Sequence, residues 1–350
     1  MRRSGVLLLG IWLCCGSLQA CGQEIRCTAL PQQKLSVKPG QYSGITYVSD
    51  DRYAVVDDKK RGGGILFFDI PIDENGVVRA AQVQCTVPSG TAAATGSSPD
   101  NEGVVYANGK LYVSAENQTI CEYDLDGVAT GKSFTIPADM RRKSIAANGG
   151  FEALAYNEVT GRFWTTTEFP LKQDTVPPRL HRLQRFGADF QADARYLYQM
   201  DEPVKTAAEG KAAWAYVFGI PAMTALDDGR LLVLEREVYV PRSRPMDIFS
   251  QSFTKTKIYL VDPSGNPAEI LPKQLLCEFE THMAFTASGI DVALANYEGM
   301  CLGPRLPDGR RCLVLIADSQ AGMASLAASF GRKQLTCEFV KVLLLEGKGI

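Results

Sequence analysis

The sequence predicts an all-β protein, specifically a single-domain β-propeller with five recognisable blades and room for a sixth. Two observations predict this fold. One strand–turn–strand unit recurs five times along the 350 residues, and helical periodicity is scarce, with only residues 321–330 ambiguous between a short helix and a loop. No change in composition separates the repeats. Two stacked β-sandwiches are the alternative, which similar hairpins along the whole chain disfavour.

Each repeat consists of two strands joined by a polar turn. The units begin at Tyr42, Asn101, Phe151, Pro221 and Asn296. Asn-Gly or Asp-Gly pairs stand at three of the turns, and such pairs favour tight hairpins because their residues tolerate positive φ. Further strands are predicted after the units, at Ile65–Phe68, Thr119–Tyr123, Leu180–Phe186, Lys257–Val261 and Leu335–Phe339. Three to four strands per repeat are typical of propeller blades.

The N-terminus indicates export. Arg2 and Arg3 precede an apolar run, Val6–Cys15, that is too short to span a bilayer. Leu18-Gln19-Ala20-Cys21 then resembles a bacterial lipobox, in which Cys21 is lipidated; ordinary secretion is the alternative. We therefore expect a signal peptide with a lipobox at 1–21, a tether with a strand (from about Glu24 to Leu30) that closes the ring at 22–39, and the propeller at 40–350. The expected location is periplasmic or outer-membrane by lipid anchor, or else secreted.

Charge and composition exclude several partners. The formal net charge is −2 and basic residues form only short clusters, so no nucleic-acid surface is predicted. No apolar run is long enough for a transmembrane helix, so the lipid anchor is the only expected membrane contact. The protein is expected to be a monomer. Seven cysteines follow the leader, an odd number, and Cys301 and Cys312 flank a turn where a disulfide is conceivable.

Acidic residues recur at two positions of the repeats. A glutamate enters the first strand in three units, at Glu102, Glu152 and Glu298. An acid stands near the end of the second strand in all five, at Asp57, Glu116, Glu168, Glu235 and Asp318. Strand ends converge at the mouths of a propeller channel, where several carboxylates need a cation, basic partners or raised pKa values. Oxygen ligands in this number favour Ca²⁺ over Zn²⁺, and hydrogen bonding between blades is the structural alternative.

Other chemistries find little support. The chain has two histidines, and the outer-strand pattern around His181 predicts a surface side chain. There is no Gly-x-Ser-x-Gly elbow, no P-loop and no Gly-x-Gly-x-x-Gly. Hydrolysis by a serine triad of that type and nucleotide binding through those loops are therefore not predicted.

The order of short motifs resembles the phytase-like family, also described as "esterase-like activity of phytase". The resemblance runs from about residue 40 to about residue 345. It rests on Val55–Lys59, Asn101–Gly103, Asn148–Leu154, Thr167–Leu171 with Asp174, Leu231–Glu237, Lys257–Leu260, Asn296–Met300, Leu302–Pro304 and Asp308–Arg310. The resemblance implies an exported bacterial propeller and, for activity, hydrolysis of a phosphoester or ester. β-Propeller phytases, which share the fold, bind several Ca²⁺ ions on an acidic face.

We therefore expect a Ca²⁺-dependent phosphoester hydrolase that acts on a small phosphorylated or ester substrate at one mouth of the channel. Glu102, Glu152 and Glu298 are the expected catalytic residues. The five second-strand acids are the expected metal ligands. The expected substrate-binding residues are Lys59, Arg179, Arg236, Asn101 and Asn296. A non-catalytic propeller lipoprotein that binds a ligand or another envelope protein, and a lactonase-type ester hydrolase, are the alternatives.

Overall fold

The computed structural model of the chain describes residues 25–58, 64–90, 100–146, 149–286, 289–329, 333 and 336–350. These residues form five antiparallel sheets, each built around one of the repeats. The innermost strands of neighbouring sheets contact one another in a closed ring. The predicted all-β propeller with five blades is therefore confirmed. The sequence leaves room for a sixth blade in residues 153–222 or 222–299; within the described residues, these intervals contain the remaining strands of the third and fourth blades.

The strands follow the blades in chain order. Two short strands come first, β1 (Arg26–Ala29) and β2 (Gln33–Lys34). Blade 1 contains β3 (Tyr42–Ser49), β4 (Arg52–Asp57), β5 (Ile65–Asp69) and β6 (Gln84–Thr86). Blade 2 contains β7 (Asn101–Ala107), β8 (Lys110–Ala115), β9 (Thr119–Tyr123) and β10 (Ala129–Ser133). Blade 3 contains β11 (Phe151–Asn157), β12 (Arg162–Thr167), β13 (Leu180–Phe186) and β14 (Ala192–Gln199).

The last two blades carry the α-helices. Blade 4 contains β15 (Ala215–Ala225), β16 (Leu231–Val240), β17 (Phe253–Val261), β18 (Lys273–Thr286) and β19 (Gly289–Val292). Blade 5 contains β20 (Asn296–Arg305), β21 (Arg311–Asp318) and β22 (Phe339–Glu346). The helices are α1 (Ala207–Ala212), α2 (Pro245–Gln251) and α3 (Gln320–Ser329), and short 3-10 turns lie at Ala80–Gln82, Ala138–Met140 and Arg142–Ser144. Among the described residues, none of the helices combines the length and apolar character needed to cross a membrane.

Both ends of the described chain meet in blade 5. β1 pairs antiparallel with β22, with Arg26 opposite Glu346 and Ala29 opposite Leu343. β2 pairs with the start of the same strand. The N-terminal segment thus supplies the outermost strand of the last blade, and backbone hydrogen bonds fasten the ring.

The hydrophobic core lies between adjacent blades. Leu232 and Leu234 of blade 4 pack with Leu313 and Leu315 of blade 5 in one such cluster. The second strand of blade 4 is covered on both faces, and all ten residues of β16 are buried, including the charged Glu235, Arg236 and Glu237. Burying a leucine side chain contributes about 2 kcal/mol, so these interfaces hold the blades in fixed positions around the axis.

The structure corrects two local predictions and decides one alternative that the sequence left open. The strand predicted at Leu335–Phe339 begins only at Phe339. The ambiguous stretch after Asp318 forms helix α3. His181 is completely buried, because β13 lies inside blade 3 between β12 and β14. Its Nδ1 lies 3.2 Å from the carbonyl oxygen of Thr167, and burial lowers the pKa of the imidazole to about 3.

The seven described cysteines form no disulfide. Cys301 and Cys312, considered as a pair from the sequence, are both buried in the core. Cys27 of β1 and Cys277 of β18 share a hydrogen bond between their thiols across the interface of blades 5 and 4. The cysteine pair in direct contact is therefore not the pair that the sequence suggested.

Candidate functional site

The three first-strand glutamates each lie at a β-bulge. In blade 3 the pairing with β12 shifts between Phe151 and Ala153, which leaves Glu152 as an extra residue. The pairing shifts in the same way around Glu298 in blade 5 and around Glu102 in blade 2. A bulge bends its strand and redirects a side chain. This local irregularity explains how a glutamate in an inner strand reaches the channel mouth.

Small residues after the bulges let the inner strands approach closely. A Cβ atom on Gly44 would lie 2.4 Å from the carbonyl oxygen of Glu102, and a Cβ atom on Gly103 would lie 2.6 Å from that of Glu152. Any larger residue there would push the blades apart. The glycines therefore bring the glutamates of neighbouring blades to one site.

Acids at the second-strand ends reach the same site through one repeated backbone hydrogen bond. The N–H of the acid donates to a carbonyl at the start of the first strand. This bond joins Asp58 to Gln41, Glu116 to Asp100 and Glu168 to Gly150, at N···O distances of 3.0, 3.0 and 3.1 Å. Asp58, rather than the predicted Asp57, is therefore the blade 1 equivalent of Glu116 and Glu168.

These side chains line one cavity of about 670 Å³ at a mouth of the channel. Its described lining contains eight carboxylates and a single arginine. The carboxylates are Asp58, Asp100, Glu102, Glu116, Glu152, Glu168, Glu298 and Asp318, and the arginine is Arg236. Asn296 also belongs to the lining. Of the predicted site residues, eight therefore meet here: Glu102, Glu152, Glu298, Glu116, Glu168, Asp318, Arg236 and Asn296.

Two groups of carboxylates are close enough to hold a metal ion. In one group, oxygens of Asp58, Asp100 and Glu102 lie within 4.8 Å of one another. In the other, oxygens of Glu102, Glu116 and Glu152 meet the same criterion. Glu102 is common to both. An all-oxygen donor set of this kind fits Ca²⁺ or Mg²⁺ and does not fit a site built for Zn²⁺.

Burial and mutual repulsion raise the pKa values of four buried acids of the cavity. Burial is the largest cause for Glu102 and Glu152, whose pKa values lie well above the ordinary range, and neighbouring carboxylates add to it. The pKa of Asp318 is raised for the same reasons. Burial also raises the pKa of Glu168, which the Arg236 charge holds at about 7. The described lining sets eight carboxylates against one arginine, an imbalance of charge that a divalent cation would correct.

Arg236 organises the carboxylates on the other side of the cavity. Its Nη2 donates to Glu168 Oε1 at 2.6 Å and lies 3.4 Å from Glu298 Oε1. Asn296 Nδ2 donates to the same Glu298 oxygen at 2.8 Å. The Arg236 side chain is only 2% exposed, so it serves to fix and neutralise these two glutamates. Its role as a substrate-binding cation is not supported by this placement.

An apolar wall faces the carboxylates. Phe169, Trp214 and Tyr216 line the cavity beside Arg236, and Met323 of α3 is part of the same lining. Trp214 is 40% exposed, an unusual value for a tryptophan in a folded domain. The described lining of the cavity therefore combines a carboxylate-rich side with an apolar and aromatic side.

Glu235 does not reach the cavity. It precedes Arg236, and successive side chains of a strand point to opposite faces. Its carboxylate accepts hydrogen bonds from the Tyr198 hydroxyl at 2.6 Å and from Lys273 Nζ at 2.6 Å. Its predicted role as a metal ligand is corrected to a structural contact between blades 3 and 4.

Other predicted residues also lie elsewhere. Asp57 ends β4 one residue before the cavity position, and Asn101 is buried and does not line the cavity. Arg179 lines a separate side cavity and forms an ion pair with Glu202. Lys59 and Cys21 lie outside the described residues, as does the whole segment expected to be a signal peptide.

Sequence reasoning missed Asp58 and Asp100. Each directly adjoins a predicted residue, so the repeat was recognised and the register was one residue off. The positive φ of 58° at Asp100, a backbone state that favours small polar residues, is not visible in the sequence. This conformation accompanies the placement of the Asp100 carboxylate in the first of the two candidate metal-binding groups.

Comparison with solved structures finds similar chains of low sequence identity. The glutaminyl cyclase of Myxococcus xanthus is 9% identical, with 93% of this chain and 99% of that chain covered and a TM-score of 0.42. A streptogramin B lyase structure is 12% identical, with 91% and 98% covered and a TM-score of 0.36. Neither likeness carries information on activity. No curated protein sequence matches the chain.

A family model matches residues 38–320, which is most of the chain. That model describes the phytase-like family as "Esterase-like activity of phytase". The matched region contains every described carboxylate of the cavity. The chain therefore belongs to the phytase-like family.

Proposed function

We propose that this protein is a Ca²⁺-dependent hydrolase of phosphoesters and that the acidic cavity is its active site. The observation that carries the proposal is the pair of carboxylate groups that share the buried Glu102, in each of which the oxygens lie within 4.8 Å of one another. Such a cluster is expensive without a metal, because buried like charges raise one another's pKa values. Its cost is explained if the cluster binds a divalent cation.

The two groups would hold the metal. Asp58, Asp100, Glu102, Glu116 and Glu152 supply the oxygens, so the predicted catalytic role of Glu102 and Glu152 becomes that of ligands. A bound divalent cation would neutralise an ester oxyanion and lower the pKa of a coordinated water.

Glu168 and Glu298 are left for proton transfer and orientation. Glu168 has a pKa of about 7, the range in which a carboxyl group both accepts and releases a proton near neutral pH. Arg236 holds the Glu168 carboxylate in place and pairs with Glu298 as well. We assign Glu168 as the proton acceptor and Glu298 as a group that orients the substrate or water.

The test combines metal binding with turnover. Purified protein should gain thermal stability with Ca²⁺ and lose it with a chelator, because a ligand of the folded state stabilises it. Glu102→Gln should abolish this gain, whereas Glu280→Gln, at a partly exposed residue outside the cavity, should retain it. Hydrolysis of 4-nitrophenyl phosphate should follow the same pattern. A protein indifferent to Ca²⁺ would refute the metal site.

The apolar wall favours a second candidate, hydrolysis of a carboxylic ester or lactone. Trp214 and Tyr216 offer an apolar surface that a highly charged polyphosphate would not use. Turnover of 4-nitrophenyl acetate with little turnover of the phosphate would decide for this candidate. A Ca²⁺ response without turnover of either compound would favour a binding protein that is not an enzyme.

We also propose that the protein is exported and anchored through a lipid on Cys21, and that it acts as a monomer on a small substrate. The charge pattern and the N-terminal sequence support this proposal. Radiolabelled palmitate incorporation that disappears in Cys21→Ser tests the anchor. Secretion of an unlabelled protein would contradict it.

A further inference from the structure

A second cavity of about 580 Å³ lies beside the acidic one. Phe169, Tyr216 and Val217 line both cavities, so these residues form a ridge at which the two adjoin. The rest of the side cavity is mainly apolar, with Pro203, Val204, Ala207 and Phe218 in its lining. It differs from the acidic cavity in its charged residues, because its described lining contains Arg179 and Lys205 but only one acid, Glu202.

The backbone holds Arg179 in an unfavourable conformation. Its φ is +63°, in the left-handed region that a long side chain seldom occupies. Met200 N–H donates to the Arg179 carbonyl at 3.2 Å, and the Gln199 side chain donates to the Pro178 carbonyl at 3.3 Å. Strain that neighbouring bonds maintain in this way is often found where a residue binds a ligand.

The Arg179 guanidinium is incompletely paired. Its Nη2 contacts the Glu202 carboxylate, whereas its Nε is buried and has no hydrogen-bond partner among the described residues. Nε and Nη2 lie on one edge of the guanidinium, and a carboxylate or phosphate binds that edge with two parallel hydrogen bonds. Glu202 is 77% exposed and is easily displaced.

Lys205 does not compete for such a ligand. Its Nζ donates to Glu209 Oε1 at 3.2 Å and lies 4.5 Å from the centre of the Tyr239 ring. The charge that remains to be satisfied in the side cavity is therefore that of Arg179. The surrounding apolar side chains would contact an uncharged body attached to the anion.

We infer that the side cavity is a subsite that binds an oxyanion, either a carboxylate or a phosphate, attached to an apolar group. Arg179 is the residue that binds the oxyanion. The oxyanion would displace Glu202 and satisfy both Nε and Nη2. Its apolar group would lie against the ridge of Phe169 and Tyr216. The inference depends on the proposed function only in treating the bound molecule as part of a substrate that extends into the acidic cavity.

Binding of small probes to chelator-treated full-length protein tests the subsite without metal or turnover. Calorimetric titration would compare 4-phenylbutyrate, phenylbutyl phosphate and the uncharged 4-phenylbutanamide. We expect at least one of the anions to bind at least tenfold more tightly than the amide, as a charge-assisted bidentate pair would give. The two anions show whether the subsite selects a carboxylate or a phosphate.

Variants identify the receptor. Arg179→Gln should reduce binding of the preferred anion to the level of the amide, and Glu202→Gln should strengthen it several-fold by removing the competing carboxylate. Arg52→Gln, which breaks a comparable ion pair with Asp69 far from the cavity, should change nothing. Arg179→Lys keeps a positive charge without the two-donor edge, so it should bind more weakly than the unmodified protein.

Two results would overturn the subsite. One is equal binding of anion and amide, and the other is unchanged anion binding in Arg179→Gln. If Arg179→Gln does not fold, the exposed Glu202→Gln variant still decides, since unaltered affinity there would contradict the displacement. A failed subsite with an intact Ca²⁺ response leaves the proposed function standing. An anion response that persists in a protein indifferent to Ca²⁺ refutes the proposed function alone.

Discussion

Replacing Glu168 by glutamine should change how the stability of the protein depends on pH. Burial raises the pKa of Glu168 from an ordinary value of 4.5 to about 7, even with Arg236 beside it. Between these values the folded state keeps a proton that the unfolded state has lost. Stability therefore falls as pH rises through this window, opposite to the behaviour of an acid in a favourable ion pair.

The size of the effect follows from the same two values. The difference between 4.5 and about 7 corresponds to about 3 kcal/mol of unfolding free energy at a pH above both. A glutamine does not titrate, so the stability of Glu168→Gln relative to the unmodified protein should rise by about 3 kcal/mol between pH 4 and pH 8. Loss of the hydrogen bond to Arg236 costs stability at every pH and leaves this slope unchanged.

Urea unfolding in the presence of a chelator, repeated across this pH range, measures the slope. Neighbouring carboxylates titrate together with Glu168, and removal of its charge lowers their pKa values, which adds to the effect in the same direction. Glu280→Gln serves as the control, because its side chain is 39% exposed. If Glu168→Gln and the unmodified protein gave parallel profiles, the assignment of a raised pKa to Glu168 would be refuted.

Three further predictions concern protons and thiols. Ca²⁺ binding at pH 6.5 should release protons and strengthen with pH, because Glu102 and Glu152 have raised pKa values and must ionise to bind. Calorimetry in buffers with different ionisation heats measures the proton release, and identical binding heats in all buffers would contradict it. His181 has a lowered pKa of about 3, so its contribution to the unfolding free energy is complete above its unfolded pKa of 6.5 and is lost as pH falls. In urea unfolding, the unmodified protein should therefore lose about 3 kcal/mol of stability relative to His181→Gln between pH 6.5 and pH 4. A constant difference between the two proteins would rule this out. Glutathione disulfide should oxidise Cys27 and Cys277 to an intramolecular disulfide, whereas the buried Cys301 stays reduced. The mass spectrum should show the loss of two hydrogens, and the melting temperature should rise. A disulfide mapped elsewhere would show that contact between thiols does not select the pair.

Much of the fold could be predicted because its signals are local. Turn residues such as Asn108-Gly109 mark hairpins, and Gly109 does have a positive φ of 74°. The second strands are rich in apolar residues, which predicts burial, and β16 is buried along its whole length. The buried His181 shows the limit of such reasoning, since the strand order within a blade decides which strand is covered.

The sequence predicted what kind of site the protein has, but only some of the residues that form it. The repeated glutamates Glu102, Glu152 and Glu298 occupy equivalent places and meet in one cavity. Which second-strand acids line the cavity depends on the register of strand pairing, and the sequence does not state that register. A slip of one residue moves a side chain to the other face, which is why Asp58 lines the cavity and Asp57 does not.

By itself, the sequence determined that five similar hairpins must form, that acids recur at their ends and that their number favours a hard cation. These are properties of turn chemistry, strand periodicity and residue type. The tertiary structure alone decided which oxygens share a site, because bulges around Glu102 and Glu152 and the close contact at Gly103 depend on neighbouring blades. It also decided that Arg236 is buried against Glu168 while Arg179 stands in a cavity of its own. Distances between blades depend on long-range packing, and no local pattern encodes them.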